Sequence, residues 1–117
     1  MQVSSQYSRI SGNWTKYFNR LKRVGKRPNL ATQDLLNILE RQNYQCALSG
    51  IELTCLLKQG TKYKTNASID RIQASGEYVK DNVQLVCVAL NSWRGDTDLK
   101  EFIWFCKQVT QFQERKE

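Results

Sequence analysis

Ser68-Ile69-Asp70-Arg71-Ile72 and Asn82-Val83-Gln84-Leu85-Val86-Cys87 decide how this chain is read. Each is a strand-like run, and a polar loop carrying Gly76 and Tyr78 lies between them. A helix start follows and carries Asn91. Polar residues recur through the stretch at fixed offsets: Asp70, then Asn82, then Asn91 nine positions later. Taken singly, Asp70 and Arg71 make an ordinary surface pair, Asn82 a turn residue and Asn91 a helix-surface residue. Their combination at this spacing is what calls for a functional reading.

Outward from that stretch, the chain is asymmetric in charge. Of its 117 residues, 18 are Lys or Arg and 11 Asp or Glu, giving a net charge of +7. Residues 1–30 hold Arg9, Lys16, Arg20, Lys22, Arg23, Lys26 and Arg27 and no acid, while the rest of the chain is balanced. A concentrated basic segment attracts polyanions through counterion release, and nucleic acid is the commonest such partner. A solvated basic helix that aids solubility is the alternative.

Residues 1–12 are polar and read as an arm. From Asn13, a candidate N-cap, Trp14, Phe18 and Leu21 recur at helical spacing and Gly25 offers a stop. On that helix Lys16, Arg20 and Arg23 fall away from the apolar stripe, and Gly25-Lys26-Arg27-Pro28-Asn29 is a basic turn. Thr32 is the expected N-cap of a second helix with Leu35, Leu36, Ile38 and Leu39 on its apolar face. Cys46 to Thr54 reads as a short strand or turn pair bent at Gly50, and residues 56–67, with Lys58, Lys62 and Lys64, as a basic loop. Asp96-Thr97-Asp98 caps a C-terminal helix striped with Leu99, Phe102, Ile103, Cys106 and Val109. The expected organisation is a basic arm and helix over 1–30 and a domain with flanking helices over 31–117, compact together as one α+β unit.

Four cysteines (Cys46, Cys55, Cys87, Cys106) occur with no histidine. They form no Cys-x-x-Cys pair, so structural zinc is not expected, and small buried hydrophobes are the favoured reading. The N-terminus lacks the apolar core of a signal peptide, and no run approaches a membrane span. A cytoplasmic protein with no membrane partner is expected.

Residues 46–105 resemble an HNH endonuclease domain of the small phage-encoded type. The matching pieces are Cys46-Ala47-Leu48-Ser49-Gly50, Ser68-Ile69-Asp70-Arg71-Ile72, Gly76-Glu77-Tyr78, Asp81 to Cys87, and Asn91 with Arg94. The resemblance implies a ββα-metal fold, a β-hairpin and helix around one divalent cation. It implies that Asp70 and Asn91 are metal ligands, since a carboxylate and an amide oxygen suit Mg²⁺ or Mn²⁺. It implies that Asn82 ties the connecting loop at the catalytic centre, and that Arg94 binds a phosphate. The implied activity is hydrolysis of phosphodiester bonds in DNA, with Lys16, Arg20, Arg23, Lys26 and Arg27 gripping the backbone.

Arg71 departs from the family, which has there the histidine that takes a proton from the attacking water. Arginine stays protonated to above about pH 12, and loss of a general base costs about 10²–10⁴ in rate. Three outcomes stay open: assistance from Glu77, Tyr78 or Lys80; slow hydrolysis with Arg71 neutralising the phosphate; or nucleic-acid binding or inhibition without cleavage. The two Cys-x-x-Cys pairs of many relatives are also halved, with Ser49 and Leu90 at the second positions. Packing around Trp93, Phe102 and Trp104 is expected in their place.

Overall fold

The computed structural model describes residues 13–56 and 63–116, apart from the side chain of Asn13. The arm at 1–12, the capping role expected of Asn13, and Lys58 and Lys62 of the basic loop lie outside the described residues. The chain is α+β: helices α1 (Asn13–Gly25), α2 (Thr32–Arg41), α3 (Val88–Arg94) and α4 (Leu99–Arg115) accompany one antiparallel hairpin of β1 (Ala67–Arg71) and β2 (Val83–Cys87). Among the described residues, no helix is long and apolar enough to cross a membrane.

Hairpin register follows from alternation. Ala67 faces Cys87, Ile69 faces Leu85 and Arg71 faces Val83, while Ser68 faces Val86 and Asp70 faces Gln84. Side chains alternate between the faces of a strand, so Ala67, Ile69, Val83, Leu85 and Cys87 share one face. All five are buried, in one cluster with Trp14, Tyr17 and Phe18 of α1 and Leu35, Ile38 and Leu39 of α2. The basic helix is thus built into the core. Tyr17 Oη donates to the Ala67 carbonyl at 2.6 Å, bonding α1 to β1.

Two side-chain amides, Asn66 buried and Gln42 half-buried, complete the frame. Gln42, just beyond α2, accepts the Leu85 N–H at 3.0 Å and donates to the Leu85 carbonyl at 2.9 Å. Asn66 accepts from Leu56 N–H at 3.1 Å and donates to the Leu56 carbonyl at 3.0 Å. Each supplies a strand-like partner to backbone groups that are costly to bury unpaired, and the Leu85 carbonyl also accepts the Ala47 N–H. Between them, residues 46–51 form a tight turn, with Cys46 N–H on the Ile51 carbonyl and Gly50 at a φ of 77°.

Three expectations are corrected. Ala31, not Thr32, is the N-cap of α2: its backbone is extended, its N–H donates to the Asp34 carboxylate, and the Thr32 hydroxyl instead bonds Asn19 of α1. Trp93 and Trp104 replace no zinc clip by packing, since both are more than half exposed. Trp93 is turned outward because its helix meets the hairpin through Asn91 and Arg94. Finally, α4 buries no residue, although Asp98 caps it as expected. One face of the hairpin lies on the α1–α2 core and the other under α3, so no sheet surface remains for α4.

Candidate metal and nucleic-acid site

The second hairpin face is where the polar residues meet. Ser68, Asp70 and Gln84 project from it, and α3 lies across it. Asn91 and Arg94 stand three apart on α3 and so share its hairpin-facing side. Asn91 Nδ2 donates to the Ser68 hydroxyl and, at 3.3 Å, to the Ile69 carbonyl. Its amide is held against the peptide that leads into Asp70. Asn91 Oδ1 has no donor among the described residues.

Asp70 is 5% exposed and Arg94 2%. Arg94 Nη1 donates to Asp70 Oδ2 at 2.7 Å, and Gln84 Nε2 to the same oxygen at 3.0 Å. Arg94 also donates to the carbonyls of Thr97, Arg71 and Ile72. A buried cation needs this density of acceptors, because an unpaired one would cost several kcal/mol. The expectation that Arg94 binds a phosphate is therefore corrected: its guanidinium is consumed inside the protein. Asp70 Oδ1 receives no hydrogen bond among the described residues.

The loop from 72 to 82 is closed by Asn82. Its Oδ1 accepts the Gln73 N–H at 3.0 Å, and its Nδ2 donates to the carbonyls of Gln73 and Glu77. One side chain thus satisfies three backbone groups of a loop with little regular structure. Gly76 allows the approach, since a Cβ there would collide with the Asn82 amide.

Arg71 leaves the hairpin on the opposite side from Asp70. Its Nη1 donates to the Gly76 carbonyl at 3.1 Å and its Nη2 pairs with the exposed Asp96 at 3.3 Å. Its Cζ lies 5.0 Å from the centre of the Tyr78 ring, and that of Arg27 only 3.5 Å from the same centre. Two guanidinium groups, one from the basic turn and one from the hairpin, therefore share Tyr78. Each such contact adds roughly 0.5–2 kcal/mol. Lys16, Arg20, Arg23 and Lys26 are exposed, with Trp14, Tyr17 and Phe18 buried on the other side of α1. Lys22, Arg23, Lys26 and Arg27 also line an open groove with Asn19 and Pro28.

Cys46 and Cys87, distant in sequence, meet beside the hairpin. Cys87 N–H donates to Cys46 Sγ at 3.3 Å. Burial raises the Cys46 thiol, but hydrogen bonds from the Ser49 hydroxyl and the N–H groups of Cys87, Leu48 and Ser49 outweigh it and hold it below its ordinary value. Burial, with neighbouring Cys46, pushes Cys87 up to about 11. Ser49 and Leu90 line one groove nearby, so the four positions of the halved pairs converge in space. Cys55 is also buried, whereas Cys106 is exposed on α4.

Sequence reasoning missed Ser68, Gln84, the burial of Arg94, and the Arg27–Tyr78 contact. Gln84 and Ser68 carried a usable signal, being polar residues on the same strand faces as Asp70. No family model, curated protein or solved structure matches this chain.

Proposed function

We propose that this protein is a DNA endonuclease of the HNH type that takes one divalent cation at Asp70 and Asn91. The observation that carries the reading is the pair of side chains on the hairpin's α3 side. Asn91 spends its Nδ2 on Ser68 and the Ile69 carbonyl, and both Asn91 Oδ1 and Asp70 Oδ1 are left without donors among the described residues. Two hard oxygens fit Mg²⁺ or Mn²⁺, which keep several waters and need few protein ligands. Among the described residues no group of three or more His, Cys, Asp or Glu gathers. The cation supplies charge neutralisation at the scissile phosphate.

The chain's own residues set the rest of the chemistry. Arg94 and Gln84 fix the Asp70 carboxylate through Oδ2, so its orientation is set before any substrate arrives. Asn82 holds the loop, and Arg71 and Arg27 place two cations around Tyr78 where a phosphate backbone can approach. The exposed cations of α1 extend that surface and make sequence-tolerant contacts. With no histidine in the chain, proton removal from water falls to solvent or to Glu77, Tyr78 or Lys80 of the loop, and turnover is slow. The test is nicking of supercoiled plasmid in Mg²⁺ or Mn²⁺ against a chelator control.

A second reading is favoured by one specific observation: Asp70 Oδ2 is already neutralised by the Arg94 guanidinium. On that reading Arg94 supplies the positive charge at the hairpin–helix junction, and the protein binds or blocks DNA without cutting it. Salt-dependent binding with no cation-dependent nicking distinguishes it from the first.

A further inference from the structure

We propose that α4 is the self-association surface of the protein, pairing antiparallel with α4 of a second copy about a two-fold axis at its midpoint. The inference goes beyond the nuclease reading and does not depend on it.

Helix α4 is a 17-residue helix with no buried residue. Trp104 and Phe105 are each 55% exposed, Val109 62% and Phe112 52%. Isolated helices of this length are marginal in water and ordinarily rely on a packed apolar face. On the wheel, Phe105, Val109 and Phe112 fall on one stripe with Phe102 at its edge, at the 3–4 spacing of a helix-pairing seam. The inner side, with Phe102, Ile103, Cys106, Lys107 and Thr110, faces a groove against Leu48 and Leu90. Phe105, Val109 and Phe112 therefore point away from the rest of the molecule, and Phe102 stands where the seam meets the groove.

Charge selects the occupant. The N-terminal end of α4 carries Asp98 and Glu101, and the C-terminal end Arg115 and Lys116. A two-fold at Lys107, which lies on the back of the helix, sets Phe102 opposite Phe112 and Phe105 opposite Val109 of the second copy. It also sets Asp98 opposite Lys116 and brings Glu101 within one turn of Arg115. An isologous pairing makes every one of these matches twice. Aromatic side chains present about 150–250 Å² each, so the half-exposed seam offers roughly 300–400 Å² of apolar surface per copy. With the polar flanks that normally form two-fifths of an interface, the pairing buries roughly 1,000–1,400 Å² in total, enough for a weak specific dimer.

Sedimentation of the full chain from about 1 to 200 μM should show a monomer–dimer equilibrium. Phe105→Lys with Val109→Lys should weaken it more than about 100-fold, with the circular dichroism and thermal midpoint of the core unchanged. Glu101→Arg should weaken it about tenfold, and Glu101→Arg with Arg115→Glu should restore it. A short bis-maleimide should link two copies through Cys106, the one exposed cysteine among the described residues. A wild type that stays monomeric over this range overturns the proposal, whether α4 is then covered by the chain's own residues 1–12 or left for a different protein. So does a dimer that survives the double lysine variant, and failure of the charge swap overturns the antiparallel register.

Discussion

Arg94 Nη1 sits 2.7 Å from Asp70 Oδ2, and both side chains are almost wholly buried where α3 crosses the hairpin. The pair binds the helix to the strand that carries the candidate metal ligand. Removing one partner leaves a buried, uncompensated charge, so Arg94→Met is expected to destabilise the fold by about 3–5 kcal/mol. Asp70→Asn combined with Arg94→Met removes both charges and should recover most of that loss. Urea denaturation of the two single variants and the double variant measures the coupling directly.

The loop depends on one amide. Asn82→Ala unpairs the Gln73 N–H and removes one of two donors from each of the Gln73 and Glu77 carbonyls, which keep the N–H groups of Gly76 and Val79, and a loss of about 1–3 kcal/mol is expected, much of it local. Gly76→Ala should reach a similar result from the other side, because its Cβ displaces Asn82. Hydrogen exchange at Gln73 and Asn82 would report the opening, with the Leu85 amide in the core little changed.

DNA binding should be steeply salt-dependent. Each phosphate neutralised on duplex DNA contributes about −0.9 to the slope of log K against log salt. Replacing Lys16, Arg20 and Arg23 by Gln should therefore flatten the slope by up to about 3. These residues are exposed, so the thermal midpoint should hardly move. Asp70→Asn with Arg94→Met, which leaves no uncompensated buried charge, should leave the slope unchanged on the same plot, because the Arg94 guanidinium faces inward.

Stability should fall on the alkaline side. Unfolded cysteine thiols ionise near 9.0, whereas burial holds Cys55 and Cys87 to about 11, and Tyr17 is pushed from 10.0 to about 12. Between those limits the native state binds more protons than the unfolded state, so stability declines as pH rises from about 9. Cys46 has the opposite sign, being lowered. Cys55→Ala should flatten the decline, read as the urea midpoint from pH 8 to 11.

Much of the fold could be read from residues with local physical signatures. The apolar periods of α1 and α2, Asp98 before α4, and the two strand-like runs all announced elements that the structure contains. The buried role of Arg94 could not be read, because a guanidinium on a helix surface and one pressed against a carboxylate have the same sequence. Nor could the solitude of α4 be read, since an apolar stripe says that a face seeks cover but not whether this chain supplies it. Gln42 and Asn66 escaped notice for a related reason: they serve backbone groups many residues away. Asp70, Asn82 and Asn91 stood out by their spacing, but that Asn82 closes the loop while Asp70 and Asn91 lie where α3 crosses the hairpin could not be read from it.

The most direct measurement is the nicking rate of supercoiled plasmid, wild type beside Asp70→Asn, in Mn²⁺ and Mg²⁺ at several pH values. Asparagine keeps the shape at position 70 but leaves the buried Arg94 uncompensated, so plasmid binding and thermal unfolding measured in parallel control for lost affinity and lost fold. The account predicts slow, chelator-sensitive nicking by the wild type that rises steadily with pH, without a plateau near the ordinary histidine range of about 6.5. It predicts at least a 100-fold lower rate for Asp70→Asn at equal DNA binding. Equal rates in the two proteins, or a wild type that binds the plasmid and never nicks it, would contradict the nuclease reading.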